Sequence, residues 1–177
     1  MDKIQRNNRI RLILRILLPI ACMLWLAFIF SNSLQPSEQS MSQSTTVVDK
    51  VQDVAQIVAP QSPVATAKGE DYERLHWIIR DLAHFMQFMV LGVLVGWCYF
   101  AYTTKFHFFY LPAVVLLITP IVDEWMQSSV AGRAGEFADV LTDTYGAMAG
   151  LAVALLTFLA GFIIYKIKTR DKGAKAE

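Results

Sequence analysis

"VDEWMQSSVAGRAGEFADVLTD", residues 122–143, decides how the chain folds. It holds five carboxylates, one arginine, one glutamine and two glycines, and it lies between two strongly apolar runs. A continuous helix through this stretch would drag Asp123, Glu124 and Arg133 through whatever the apolar runs occupy. A link between two membrane spans leaves them at a wet surface instead.

Working outward, the chain of 177 residues is 55% hydrophobic with a mean hydropathy of +0.40. Its apolar residues come in blocks, not at an amphipathic period. A block of about 18 residues crosses the hydrocarbon layer as a helix. Four such blocks stand out, at 13–30, 82–102, 106–122 and 140–165. The third carries Pro112 and Pro120. The fold class expected is all-α: a polytopic membrane protein forming a four-transmembrane-helix bundle, a single integral domain over 1–177.

The net charge of +1 conceals a strong asymmetry. Lys3, Arg6, Arg9, Arg11 and Arg15 precede the first span, Lys105 sits between the second and third, and Lys166, Lys168, Arg170, Lys172 and Lys175 follow the fourth. Four crossings put these regions on one side. The opposite side carries twelve of the fifteen acids and only five of the sixteen bases. Lysine and arginine beside span ends mark the cytoplasmic face, so both termini are expected in the cytoplasm of a cell whose inner membrane the protein spans. The first span follows a basic start, as signal peptides do. Its apolar run is too long for one and no small-x-small cleavage site follows, so it reads as retained. Cys22 and Cys98 fall inside spans, form no C-x-x-C motif and read as packing residues.

The largest non-spanning part is the extracytoplasmic insert, 31–80. Val47, Val51, Val54 and Val58 recur at steps of three and four within 45–58, opposite Asp49, Lys50, Gln52 and Asp53. This is an amphipathic helix, with Ser44 or Thr45 as its expected cap. Such a helix either lies on the outer leaflet or covers the mouth of the bundle. "APQSPVATAKG" reads as a loop and "EDYERLHWIIRDL" (70–82) as a helix leading straight into the second span, with His76 assigned to the outer loop region and given no role. The aromatics around Trp97, Tyr99, Tyr102 and "FHFFY" read as an interfacial belt.

No internal repeat, nucleotide-binding glycine motif, DNA-binding pattern or zinc-ligand spacing is present, and no nucleic-acid partner is expected. Gly146 and Gly150 form a G-x-x-x-G step that reads as close packing within the bundle, with dimerisation as the alternative. Oligomeric state stays open.

Polar side chains of all four spans converge on one end. Ser31 and Ser33 end the first span. Arg80, His84 and Gln87 share one helical face, as do Asp123 with Gln127 and Asp139 with Asp143. Ionisable groups at membrane depth are costly unless paired or wet. The expected result is a shallow outward pocket with Arg80, His84 and Arg133 as its positive groups and Asp123, Glu124, Asp139 and Asp143 as its negative groups. No polar path continues through the other half, which argues against transport.

"FSNSLQPSEQS" (30–40), "RDLAHFMQFMVLG" (80–92) and "DEWMQSSVAGRAGEFADVLTDTYGAMAG" (123–150) resemble the motifs of the VanZ-like membrane protein family. Ser31, Ser33, Arg80, His84, Asp123, Glu124, Gln127, Arg133, Asp139 and Gly146 fall on family positions. Phe88 stands where a tyrosine is usual, Gln87 where an acid is common, and Asp143 where an asparagine is usual. The insert after Gln35 is long for a minimal member. The family's namesake is associated with resistance to the glycopeptide teicoplanin. The resemblance thus implies a bacterial cell-envelope setting, and an anionic lipid or lipid-linked cell-wall precursor as a partner beside the bilayer itself.

Three accounts of the polar cluster compete. In a structural ion network, Arg80 pairs with Asp123 or Asp139, and Arg133 ties its loop to Glu136 or Asp143. In a catalytic account, His84 works with Asp123 or Asp139, and Glu124 is the alternative acid or base. In a binding account, Arg80 and Arg133 grip an anionic headgroup, helped by Gln127, Asp143, Ser31 and Ser33. A divalent metal cofactor held by His84 with Asp123, Glu124, Asp139 or Asp143 suits either functional account.

Overall fold

The computed structural model describes residues 3–133 and 135–174. Lys175 of the basic tail lies outside the described residues, as do the side chains of Lys3, Arg6 and Lys172. The chain folds as α1 (Lys3–Ser33), α2 (Ser37–Val58), α3 (Pro63–Thr66), α4 (Glu70–Tyr102), a 3-10 turn at Phe106–Phe108, α5 (Tyr110–Ser128) and α6 (Phe137–Ala174). No strand occurs among the described residues.

Four stretches are long and apolar enough to cross a membrane: Asn8–Ser33, Glu70–Tyr102, Phe106–Ser128 and Phe137–Arg170. Each contains one of the apolar blocks and extends beyond it. The 33 residues of α4 reach about 50 Å at 1.5 Å per residue, against a hydrocarbon layer of about 30 Å. That length leaves room for the polar extensions outside the lipid tails. α1 continues through Pro19 and α5 through Pro120. Leu12, Met23, Leu24, Ile118, Leu156 and Ile163 point outward and are exposed. That outer surface belongs against lipid, where unburied apolar side chains cost nothing.

A small core of Ile29, Phe88, Leu116, Ala147 and Leu151 joins the four long helices. The closest seam runs between α4 and α6, which lie parallel. A Cβ at Gly146 would collide with the Phe85 carbonyl, and one at Gly150 with the Met89 carbonyl. Reciprocally, Gly92 of α4 faces the Ala147 carbonyl and Gly96 faces the Ala154 methyl. Glycines on both helices let the backbones meet. The G-x-x-x-G step is thus used inside the bundle.

α1 runs antiparallel to α4. Trp25 Nε1 donates to the Gln87 carbonyl at 2.8 Å, Arg15 Nε donates to the Ala101 carbonyl at 2.9 Å, and the Tyr102 hydroxyl donates to the Arg15 carbonyl at 2.6 Å. Arg15, Tyr102 and Thr103 gather with Tyr165 of α6 around a hollow at this basic end. Beside it, Phe100 stacks on Phe158 at 4.1 Å and on Phe109 at 5.4 Å. Part of the expected aromatic belt is therefore a packed junction of α4, α6 and the 3-10 turn.

The insert departs from expectation in four ways. α2 begins at Ser37, behind Pro36, so the Ser/Gln-rich stretch is helical. Ser44 and Thr45 do not cap it: their hydroxyls donate to the Ser40 and Met41 carbonyls one turn back. His76 lies buried within α4, on the helix expected over 70–82 and not in a loop. The loop "APQSPVATAKG" contains α3, whose Ser62 cap accepts from the Ala65 N–H. Val48 is fully buried, and Gln52 donates to the Ala67 carbonyl at 2.8 Å. The Tyr72 hydroxyl donates to Asp49 at 2.7 Å. These contacts fold α2 back over the ends of the spans.

Candidate functional site

Each long helix delivers polar groups to the end covered by α2. The last turn of α1 supplies Asn32 and Ser33. α4 supplies Arg80, His84 and Gln87 at steps of four and three, which is one face of a helix. The last turns of α5 supply Asp123 and Gln127, and the first turns of α6 supply Asp139 and Asp143. Arg133 comes from the α5–α6 connection.

The parallel α4–α6 seam sets two rungs. Arg80 Nη2 meets Asp139 Oδ2 at 3.1 Å. One turn deeper, His84 Nδ1 lies 3.3 Å from Asp143 Oδ1. Of the two partners expected for Arg80, the fold selects Asp139. Of the acid–base partners expected for His84, Asp123 lies within 4.8 Å of it and Asp139 pairs with Arg80 instead, while the carboxylate that meets it across the seam is Asp143, expected only as a fellow metal ligand. The reason is register: both helices advance four residues per rung, so pairing Arg80 with Asp139 commits His84 to Asp143.

A second network closes on itself across α1, α5 and the connection. The Ser33 hydroxyl donates to Asp123 Oδ1, and Gln127 Nε2 donates to Asp123 Oδ2 at 2.7 Å. Arg133 Nη1 donates to the Gln127 amide oxygen at 3.4 Å and to the Ser33 carbonyl at 3.1 Å. Ser33, Asp123 and Gln127 are all buried. Arg133 thus ties its loop to α1 and α5, and not to Glu136 or Asp143 as expected. Its burial, with Arg80 nearby, pulls its pKa below the usual arginine value.

Glu124 stands apart. Its Oε1 accepts the Glu136 N–H at the entry to α6. A carboxylate there serves an unpaired N–H and the positive end of the helix. Ser31 is exposed on α1, and Asn32 and Ser33 are the residues that turn inward.

A recess of about 370 Å³ opens beside these networks, between α1, α2 and α4. Its polar lining includes Asn32, Ser33, Arg80, His84, Gln87, Gln127 and Arg133, with Ser40, Gln43 and Ser44 from α2. Phe28, Val47, Ile79 and Ala83 form its apolar part. Among the described residues, no carboxylate lines it. The expected pocket of mixed charge is therefore divided: cations and amides face the cavity, and the acids form the wall behind. A second recess shares Ser40, Ser44, Arg80, Gln127 and Arg133 and runs on past Trp77 to Glu136.

The contribution of α2 was not foreseen, although Ser40, Gln43, Ser44 and Val47 stand at steps of three, one and three, the spacing of one helical face. The hollow at the basic end is larger, about 580 Å³. Arg11 and Arg15 line it, with Arg15 donating to the Ala101 carbonyl; the smaller recess is the candidate site because the polar groups of the long helices converge beside it.

The described geometry also brings one ligand atom each from His84, Asp123 and Asp143 within 4.8 Å of one another. Asp139 and Glu124 are not in that group.

A family model described as VanZ/LLP1 matches residues 18–166. No curated protein and no solved structure matches the chain.

Proposed function

The chain belongs to the VanZ/LLP1 family, and from that premise we propose that its covered end recess binds the anionic headgroup of a lipid-linked cell-envelope component. The observation that carries this reading is the lining: Arg80, Arg133 and His84 face one cavity that no carboxylate lines among the described residues. Guanidinium groups present paired N–H donors that match phosphate or carboxylate oxygens. Burial first, and then the charge of Arg80, lower the pKa of Arg133; an anion in the recess offsets both. Asn32, Gln87, Gln43 and Ser44 add hydrogen-bonding groups for the remainder of a headgroup.

Access supports a lipid over a soluble anion. The apolar part of the lining, Phe28, Ile79 and Ala83, belongs to spans α1 and α4. A headgroup among the arginines could leave its chains along these residues. The positive-inside bias supports termini in the cytoplasm and a recess on the outer face of a bacterial inner membrane. The association of the family's namesake with teicoplanin resistance supports a cell-wall precursor as the lipid.

Recognition is the primary reading. His84 lies on the cavity wall with Asp143 behind it, so it is the group placed to move a proton if the bound headgroup is also modified. Modification requires a changed lipid product. The competing reading, a purely structural ion network, predicts no bound lipid at all.

The test is native mass spectrometry and equilibrium binding of the protein in neutral-lipid nanodiscs, titrated with undecaprenyl phosphate or phosphatidylglycerol. Arg80→Ala and Arg133→Ala are expected to weaken binding at least about tenfold each, or about 1.4 kcal/mol, without loss of helical content. Unchanged binding by both folded variants would overturn the reading.

A further inference from the structure

Two buried carboxylates and one imidazole meet behind the recess, and among the described residues no guanidinium donates to either carboxylate. His84 comes from α4, Asp123 from α5 and Asp143 from α6, and their ligand atoms lie within 4.8 Å of one another. Asp143 is 0% exposed and Asp123 is 1% exposed. Both oxygens of Asp143, and Nδ1 of His84, have no hydrogen-bond partner. The 3.3 Å approach of His84 to Asp143 is close in distance but is not aligned as a hydrogen bond.

Neither guanidinium reaches the two carboxylates: Arg80 lies on Asp139, and Arg133 donates to the Ser33 carbonyl and to Gln127. Buried polar groups are almost always satisfied, and buried charges are paired or bind metal. The orphaned Asp143 oxygens therefore need a partner that the side chains do not supply.

We propose that His84, Asp123 and Asp143 together bind one divalent first-row cation. Its two positive charges equal those of the two carboxylates, with the imidazole neutral. One imidazole nitrogen with carboxylate oxygens is a donor set suited to Zn²⁺ or Mn²⁺. Three ligands about 2.0–2.2 Å from one ion lie about 3–4 Å apart, so a cluster whose ligand atoms lie within 4.8 Å of one another closes on an ion by drawing in by about an ångström.

Asp123 is prepared for this role. Each of its oxygens accepts one hydrogen bond, from Ser33 and from Gln127, and each keeps a further lone pair. Partners of this kind orient a ligating carboxylate and are felt in metal affinity. Three protein ligands are also the number that leaves a coordination position open in catalytic sites. The cation site does not depend on a lipid in the recess, because neither Asp123 nor Asp143 lines that cavity.

The test uses full-length protein purified in detergent without chelator, then dialysed against Zn²⁺ or Mn²⁺ and analysed by inductively coupled plasma mass spectrometry. The expected result is about one equivalent of one of these metals per chain. Asp143→Asn and His84→Ala are expected to cut occupancy at least tenfold, while Glu124→Gln, outside the cluster, stays loaded. Size exclusion and circular dichroism report whether each variant is folded. If Asp143→Asn does not fold, the Mn²⁺-loaded wild type decides, since an imidazole ligand gives a nitrogen modulation in pulsed electron paramagnetic resonance. Occupancy below about a tenth of an equivalent with both metals overturns the proposal. So does full occupancy in folded Asp143→Asn, equal loss from Glu124→Gln, or a Mn²⁺ signal without nitrogen coupling.

Discussion

His84 Nδ1 lies 3.3 Å from Asp143 Oδ1 across the α4–α6 seam, one turn below the Arg80–Asp139 contact at 3.1 Å. Two turns further along, the same seam becomes glycine against backbone, with Gly150 on the Met89 carbonyl and Gly92 on the Ala147 carbonyl. Packing and chemistry therefore share one register. The glycines bring the two helices close enough for short polar side chains to meet at their ends.

That coupling predicts opposite outcomes for two glycines of α6. Gly150→Ala drives a methyl into the Met89 carbonyl, which belongs to a helix and cannot give way. Overpacking of this kind costs about 1–3 kcal/mol. A Cβ at Gly161 meets nothing within 4 Å, so Gly161→Ala is expected to be neutral or to stabilise by up to about 1 kcal/mol through helix propensity. Thermal unfolding in detergent measures both. Equal melting temperatures would show that the seam is looser than described.

Much of this could be read from the amino acids, and the limits have physical causes. The four spans were legible because nothing but lipid accommodates such long apolar blocks. The convergence of Ser33, Arg80, Asp123 and Asp139 on one end was legible because an even number of crossings fixes which span ends are neighbours. The partner of His84 was not, since the choice among Asp123, Asp139 and Asp143 depends on the rotation of α4 against α6. Close backbone contacts at Gly92 and Gly146 set that rotation, and they have no signature in hydropathy. The start of α2 was missed because residues 37–44 lack an apolar stripe. Their stripe is polar, Ser40 with Gln43 and Ser44, and faces the recess. The division of the pocket into a cationic lining and an acidic wall was equally hidden, because it is a matter of depth and not of sequence position.

The Arg80–Asp139 pair lies between the surface and buried regimes, with side chains 25% and 15% exposed. Arg80 also sits 5.2 Å over the Trp77 ring. Exposed pairs contribute about 0–1 kcal/mol and breaking a buried one costs about 3–5 kcal/mol. A double-mutant cycle of Arg80→Ala with Asp139→Asn is expected to give a coupling of about 1–2 kcal/mol, read from chemical unfolding. A coupling under about 0.5 kcal/mol would mean that the pair is fully solvated and adds nothing to the seam.

Glu124 is expected to behave as a loop anchor. Its Oε1 accepts the Glu136 N–H, and a Cβ on Gly135 would lie 3.0 Å from that oxygen. Glu124→Ala removes the acceptor at the entry to α6 and should cost about 1–2 kcal/mol. Glu124→Gln keeps a carbonyl oxygen there and loses only the charge at the helix N-terminus, about 0.3–1 kcal/mol. Limited proteolysis within 129–136 follows the loop directly, with faster cleavage in Glu124→Ala than in Glu124→Gln. Identical cleavage of the two variants would remove the anchoring role.

Topology follows from charge and is open to a direct check. Eleven of the sixteen basic residues fall on the side of the two termini and Lys105, which the positive-inside bias assigns to the cytoplasm. Gln61 and Ser129 are exposed at the opposite end, and Thr104 and Thr169 are exposed at the basic end. In a background with Cys22 and Cys98 replaced by serine, cysteines at Gln61 and Ser129 should react with a membrane-impermeant maleimide on intact spheroplasts. Cysteines at Thr104 and Thr169 should react only after permeabilisation. The reverse pattern would turn the recess toward the cytoplasm and remove an extracytoplasmic headgroup as its ligand. Labelling of Ser129→Cys and Thr169→Cys from the same side would break the four-span order itself, because α6 would then fail to cross.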